Sequence, residues 1–165
     1  MHNNHIQTLK PVIIIGAGGH GCTIVDYLLL MGKEILGFTE RIKSNFVYRN
    51  IRIIGNDNDV LSYKNNDIEL ALGIGIIPKD LNRENKIMWF QNKGYSIIKV
   101  VSTNSFMSPS AILNDGVQIS AGAIIQSNVK IGDFSIINTC ARVDHNSIVG
   151  NHCHVAPGVT ICGDV

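Results

Sequence analysis

Hydrophobic positions follow two different periods along this 165-residue chain, and the change falls near residue 104. Before that point, short aliphatic runs alternate with segments whose apolar residues recur at helical spacing. After it, an aliphatic residue returns at every sixth position up to the last residues. We therefore expect two parts, residues 1–104 and residues 105–165, with different architectures.

The first part alternates strand and helix signals. Val12–Ile15 is a continuous β-branched run, which is typical of a strand buried on both faces. Such alternation predicts an α/β, Rossmann-like domain with a small parallel sheet. We expect Arg41–Asn66 to be mostly loop, with a short strand near Ile51–Ile54. The remaining predicted elements are the helices Gly19–Met31, ended by Gly32, and Asn85–Asn92, ended by Gly94, and the strands Ile35–Phe38, Glu69–Leu72 and Tyr95–Val101.

The second part divides into nine hexads, from AILNDG at residue 111 to VTICGD ending at residue 164. The first position of each hexad is always small or β-branched. The third position is always aliphatic: Leu113, Ile119, Ile125, Ile131, Ile137, Val143, Val149, Val155 and Ile161. This period predicts a parallel β-helix in which three hexads close one coil and the third-position side chains stack inside.

Composition narrows the class of protein. Hydrophobic residues make up 45% of the chain and charged residues 16%, as in a globular protein, and the net charge of +1 argues against nucleic-acid binding. No apolar run approaches the roughly 20 residues that a membrane helix needs. The first ten residues are polar and predict no signal peptide, so we expect a cytoplasmic protein. Four cysteines without C-x-x-C spacing indicate free thiols.

A glycine motif follows the first strand. Gly16, Gly18 and Gly21 have the spacing G-x-G-x-x-G, which alone indicates dinucleotide binding, and Glu40 lies where a dehydrogenase would carry its ribose-binding acid. No second catalytic domain follows, however, only the repeat. A histidine, His20, also lies within the motif.

Three stretches together resemble the NeuD/PglD family of hexapeptide-repeat sugar acyltransferases: IIIGAGGHG with GFTER, LGIG at Leu72–Gly75, and the repeat from INTCARVDHN to Val165. The resemblance implies a left-handed β-helix, a homotrimer, and active sites between neighbouring β-helices. It further implies an acetyl-CoA-dependent enzyme that acetylates an amino sugar, a nucleotide-linked 4-amino sugar or a sialic-acid-type sugar for bacterial surface glycans.

Acetyl transfer to an amine or hydroxyl needs a base, and histidine suits this role near neutral pH. The match of VDHN to the family's catalytic motif implies that His145, at the fifth position of its hexad, is that base. Asn146 or Asp144 could orient the imidazole. Asn138 matches a family asparagine near the base.

The resemblance also assigns binding residues. In the first part, the sugar would lie against Gly16, Gly18, Gly19, His20, Glu40 and Gly73. In the repeat, His154 and Gly163 would contact acetyl-CoA. No metal is expected.

Two departures keep an alternative open. Family members usually have an acidic residue where this chain has Asn146, and they continue for further coils where this chain reaches Val165, so the second domain is expected to be short. A non-catalytic sugar-binding or nucleotide-sugar-binding member of the same architecture would explain both. A NAD-dependent oxidoreductase and a zinc enzyme using His145, His152 and His154 are further alternatives.

Overall fold

A computed structural model describes residues 9–42, 45–77 and 79–165. Residues 1–8, most of the segment in which we predict no signal peptide, lie outside the described residues, as do two residues of the predicted 41–66 loop. The first part contains a five-stranded sheet in the order β3-β4-β2-β1-β5, in which only the β3–β4 pair is antiparallel. Its strands are β1 Val12–Ile15, β2 Ile35–Thr39, β3 Val47–Tyr48, β4 Ile51–Gly55 and β5 Glu69–Leu72.

Two helices cover this sheet. Helix α1 spans Gly19–Leu30 and α2 spans Asn82–Gln91, so α2 begins three residues before the predicted start. Gly32 and Gly94 follow the helices with φ of 71° and 80°, which confirms both as helix stops. Over the described ranges, neither helix is long and apolar enough to cross a membrane.

The segment predicted as mostly loop is more ordered than expected. Strands β3 and β4 form a hairpin whose turn residues, Arg49 and Asn50, have φ of 50° and 64°. A 3₁₀ helix, Asp57–Ser62, follows, and Asn56 and Asp59 form a reciprocal capping box at its start. The short strand predicted near Ile51–Ile54 is confirmed as β4. The other ordered elements were missed because asparagine-rich sequence was taken as solvated loop, whereas here asparagines supply a left-handed turn and a helix cap.

The second part is a left-handed parallel β-helix, as predicted. Two-residue strands stack on three faces in the orders β6-β9-β12-β15, β7-β10-β13-β16 and β8-β11-β14. The third-position side chains form one internal stack, of which Ile119 to Val155 are buried and the two end members partly buried. The strands are β6 Val100–Val101, β7 Phe106–Met107, β8 Ile112–Leu113, β9 Gln118–Ile119, β10 Ile124–Ile125, β11 Lys130–Ile131, β12 Ile136–Ile137, β13 Arg142–Val143, β14 Ile148–Val149, β15 His154–Val155 and β16 Thr160–Ile161.

The sixth position of every hexad is a left-handed turn residue. All nine of these residues have φ between 53° and 72°, although only three are glycine: Gly116, Gly122, Asn128, Phe134, Cys140, Asn146, His152, Gly158 and Asp164. Sixth-position residues 18 apart therefore stack in columns along the three edges of the β-helix.

The segment Tyr95–Val101 does not form the predicted strand of the first sheet. Ile97 makes only an isolated bridge with Leu70, and Val100–Val101 is already β6 of the β-helix. The apolar run arises because the chain here passes between two cores, and Val100 packs into the core of the first part. The division at residues 104 and 105 stays a prediction, and β6 lies before it.

Candidate functional site: a glycine-turn pocket beside the β-helix

The turn between β1 and α1 opens into a pocket of about 690 Å³. Gly16 has φ of 101°, and an added Cβ would come within 2.7 Å of Ile74 Cγ1, so the turn requires glycine. The pocket lies at the carboxyl ends of β1, β2 and β5, where parallel α/β sheets commonly bind ligands. All six residues predicted to contact the sugar line it: Gly16, Gly18, Gly19, His20, Glu40 and Gly73.

Charged residues also line the pocket, among them Glu40, Asp57 and Lys86. Glu40 Oε2 accepts a hydrogen bond from the Ala17 amide at 3.3 Å. Thr39 Oγ1 donates to Asp57 Oδ1 at 2.7 Å, and the other oxygen of Asp57 pairs with Lys86. Sequence analysis missed Asp57 and Lys86, because one lies in the segment predicted as loop and neither belongs to the glycine motif.

His20 connects this pocket to the β-helix. Gln118 donates through Nε2 to the Leu72 carbonyl at 2.7 Å, so its Oε1 faces His20 Nε2 at 2.8 Å and accepts the imidazole proton. The pKa of His20 is lowered, mainly by burial and further by the charges of Arg83 and His154, although the Gln118 hydrogen bond opposes this. The neutral ring therefore carries its proton on Nε2 and keeps Nδ1 as an acceptor.

Arg83 is a buried cation at the junction of the two parts. Its side chain is 3% exposed, donates through Nε to the Ile74 carbonyl at 3.0 Å and through Nη1 to the Phe134 carbonyl at 2.8 Å. Burial lowers its pKa to about 10, and Nη2 has no hydrogen-bond partner among the described residues. The hydrogen bond to Phe134 fixes α2 against the β-helix.

His154 lies on the β-helix face that meets the first part. Gln118, Ile136 and His154 are in register on β9, β12 and β15; the first two are buried, and His154 is exposed at the edge. Asn138 Nδ2 lies 3.0 Å from His154 Nε2 and donates to it, because Asn138 Oδ1 already accepts from the Thr139 amide. Partial desolvation, followed by the Arg83 charge, lowers the pKa of His154. Asn138 therefore contacts His154 rather than His145.

His145 lies on a turn of the β-helix, with its side chain 57% exposed. Its ring packs over Gly163, where an added Cβ would come within 2.6 Å of the imidazole Cε1. No hydrogen bond or ion pair joins Asp144 to His145 within the described residues. The carboxylate beside the ring belongs instead to Asp164, whose Oδ2 lies 3.7 Å from His145 Nδ1.

Asn146 links these two side chains. Its Nδ2 lies 3.3 Å from His145 Nδ1 and 2.9 Å from Asp164 Oδ1. Sequence analysis missed Asp164, although a spacing of one coil, 18 residues, after Asn146 marks it as a stacked neighbour.

The third histidine of the repeat stays apart from the other two. The His152 ring stacks on Phe134, with 5.5 Å between ring centroids and 25° between ring planes. In the part of the chain that the structure describes, no group of three or more His, Cys, Asp or Glu side chains could hold a metal ion.

Together, the fold and the site define a two-part protein in which a Rossmann-like pocket adjoins a left-handed β-helix that carries an exposed histidine. Residues 11–87 match the family model described as the PglD N-terminal domain. This match makes the first part similar to the PglD N-terminal domain, in agreement with the resemblance to the NeuD/PglD family that the sequence motifs indicated.

Solved structures share this fold over nearly the whole chain. The acetyltransferase domain of PglB from Neisseria gonorrhoeae, in complex with acetyl coenzyme A, has a TM-score of 0.84 at 24% identity, covering 92% of this chain and 73% of that one. A histidine variant of perosamine N-acetyltransferase from Caulobacter crescentus, in complex with CoA and GDP-perosamine, has a TM-score of 0.72 at 24% identity, covering 93% and 83%. WeeI from Acinetobacter baumannii has a TM-score of 0.81 at 19% identity, covering 94% and 74%.

A curated protein of Acanthamoeba polyphaga mimivirus is 29% identical over 106 residues, which are 64% of this chain. The chain spans about a fifth of the length of that protein.

Proposed function

We propose that this chain is an acetyl-CoA-dependent acetyltransferase acting on an amino sugar, a nucleotide-linked 4-amino sugar or a sialic-acid-type sugar, with His145 as the general base. The observation that carries this proposal is the exposed His145 imidazole on a β-helix turn, with the Asp164 carboxylate 3.7 Å from its Nδ1. We place the reaction in the cytoplasm, in the biosynthesis of bacterial surface glycans.

The glycine-turn pocket would hold the acceptor sugar. Gly18, Gly19 and His20 at the start of α1 line this pocket, and backbone amides at a helix N-terminus suit a phosphate or carboxylate group of the ligand. His20 offers Nδ1 as an acceptor for a sugar hydroxyl or amine, since Gln118 occupies its Nε2 proton. The perosamine N-acetyltransferase solved with GDP-perosamine supports a nucleotide-linked sugar as the substrate class.

The chemistry follows from a free base beside the thioester. The sugar nitrogen or oxygen attacks the acetyl carbonyl, and His145 Nε2 takes the proton that the nucleophile loses. The tetrahedral intermediate then collapses, the carbon–sulfur bond breaks, and the proton passes from His145 to the departing CoA thiolate. The PglB domain solved with acetyl coenzyme A supports this acetyl donor.

We place this site between two copies of the chain in a homotrimer. His145 lies on one edge of the β-helix, whereas His154 lies on the face that meets the first part, so one copy's pocket would face the base of its neighbour. His154 and Gly163 would then contact acetyl-CoA. Sedimentation velocity tests the assembly, with a trimer expected and a monomer contradicting this arrangement.

The activity test is release of free CoA thiol. The protein is incubated with acetyl-CoA and a panel of nucleotide-linked amino sugars, free amino sugars and sialic acids. We expect thiol release that depends on one class of sugar, with acetylated sugar formed in equal amount. If sugars bind but none of them is acetylated, the result would favour a non-catalytic binding protein and overturn the proposal.

A further inference from the structure

One edge of the β-helix carries a ladder of polar side chains. Asn128, Asn146 and Asp164 occupy sixth hexad positions in three successive coils, with φ of 62°, 60° and 60°. Asn128 Nδ2 donates to Asn146 Oδ1 at 3.1 Å, and Asn146 Nδ2 donates to Asp164 Oδ1 at 2.9 Å. The ladder therefore ends in a carboxylate directly beside His145.

The ladder fixes which way the Asn146 amide points. An ionised carboxylate only accepts hydrogen bonds, so the NH₂ group of Asn146 must face Asp164, and its oxygen must face Asn128. The same NH₂ group lies 3.3 Å from His145 Nδ1. Asn146 can therefore donate a hydrogen bond to His145 Nδ1 but cannot accept one from it.

This orientation has a consequence for the proposed base. A hydrogen bond donated by Asn146 favours the imidazole tautomer with its proton on Nε2, which leaves no free Nε2 lone pair for the nucleophile. Asp164 Oδ2, 3.7 Å from Nδ1, is the acidic oxygen that favours the opposite tautomer, with the proton on Nδ1. The packing of the ring over Gly163 keeps the imidazole beside this carboxylate.

We infer that Asp164 is the positioning residue of His145. Its carboxylate selects the Nδ1–H tautomer, so that Nε2 is free to accept the proton, and it stabilises the imidazolium that forms afterwards. Asn146 holds Asp164 in place through its hydrogen bond, and it does not itself select the Nδ1–H tautomer of His145. The inference rests on the proposed function for its kinetic consequence, but the tautomer can be measured without any substrate.

The kinetic test moves the carboxylate along the ladder. We expect Asp164→Asn to lower kcat by about 10-fold to 100-fold, with little change in KM for acetyl-CoA, since the group acts through the base and both side chains are more than half exposed to screening solvent. The double variant Asn146→Asp with Asp164→Asn returns a carboxylate to the position next to His145, and should restore most of the lost kcat. Asp115→Asn, which removes an exposed carboxylate elsewhere on the β-helix, is the matched control and should leave kcat unchanged.

The second test reads the tautomer directly from the ¹⁵N chemical shifts of the neutral imidazole, assigned with His145→Ala. We expect Nδ1–H to predominate in the wild type and Nε2–H in Asp164→Asn. An unchanged tautomer together with an unchanged kcat in Asp164→Asn would overturn the inference. A tautomer that shifts as expected, in a protein that acetylates no sugar, would retain the positioning role and overturn the proposed function instead.

Discussion

In the first part of the chain, the core collects Ile14, Leu28 and Phe38 from one helix and two strands, whereas in the β-helix each buried aliphatic residue lies directly above its equivalent from the coil below. Each core residue of the first part therefore has its own set of packing neighbours, whereas the core residues of the β-helix share one repeated packing arrangement. Both parts nevertheless place a central candidate group on a turn: His20 follows the glycine turn in one, and His145 lies on a hexad turn in the other. The periodic part therefore supplies a repeated frame, and its proposed function depends on residues that depart from the period.

The largest effect is expected where the internal stack is broken. Ile137 is fully buried between Ile119 and Val155, so Ile137→Ala should lower the free energy of unfolding by about 2–5 kcal/mol. Leu30→Ala removes an aliphatic side chain that is 60% exposed in the first part, and should cost less than about 0.5 kcal/mol. Denaturant unfolding measures both, and equal losses would show that the stack is not the stabilising element.

The glycine turn offers a sharper contrast within the first part. An added Cβ at Gly21 would clash with the backbone oxygen of Gly16, whereas one at Gly18 would meet nothing within 4 Å. Gly21→Ala should therefore cost about 1–3 kcal/mol, and Gly18→Ala should leave the melting temperature unchanged. Thermal unfolding checks this, and a stable Gly21→Ala protein would contradict the close approach of α1 to the turn.

Substituting a particular glycine of the β-helix should affect activity instead of stability. Gly163→Ala places a Cβ within 2.6 Å of the His145 ring and must displace it, so kcat should fall between about tenfold and 100-fold. Gly150→Ala adds a Cβ with an ordinary 3.6 Å contact to Cys153 Sγ, and is the control. Equal kcat values for the two variants would contradict the role of Gly163 in holding the ring.

The smallest expected effect is a pH dependence of stability. The folded state holds the pKa of His20 below its ordinary value of 6.5, so below about pH 6.5 the unfolded chain binds more protons, and stability falls as the pH decreases. His20→Gln should remove the part of this pH-dependent loss of stability that comes from His20. Melting temperatures at about pH 7 and about pH 5 give the slope for each protein, and identical slopes would exclude His20 as a contributor.

The regular features of the fold were predictable because each leaves a repeated or local signal. The third hexad position is aliphatic in all nine repeats, and β1 is a continuous apolar run, so the β-helix and the first strand follow from sequence alone. The left-handed sixth position was not recognised, since Phe134, Cys140 and His152 occupy it together with residues that favour such turns. The hairpin turn at Arg49–Asn50 was missed because the asparagine-rich segment around it was taken as solvated loop.

The candidate site was predictable only where its residues belong to recognisable motifs. The glycine motif, the GFTER stretch and the LGIG stretch identified six residues that lie in one pocket, but their role stays a prediction. The Asp57–Lys86 pair joins residues 29 positions apart that share no motif, and the ladder ending at Asp164 depends on side-chain directions that the sequence does not contain. Residues that meet through stacking or long-range packing require the fold before they can be assigned.

We assign sugar binding to the first part and the acetyl transfer to the β-helix. This assignment is tested most directly by comparing the wild type with His145→Ala in the presence of acetyl-CoA and the accepted sugar. We predict that His145→Ala releases CoA thiol about 10²–10⁴-fold more slowly, while the sugar raises the melting temperature of both proteins equally. Equal rates of thiol release in the two proteins would contradict the assignment of the chemistry to His145 and the β-helix.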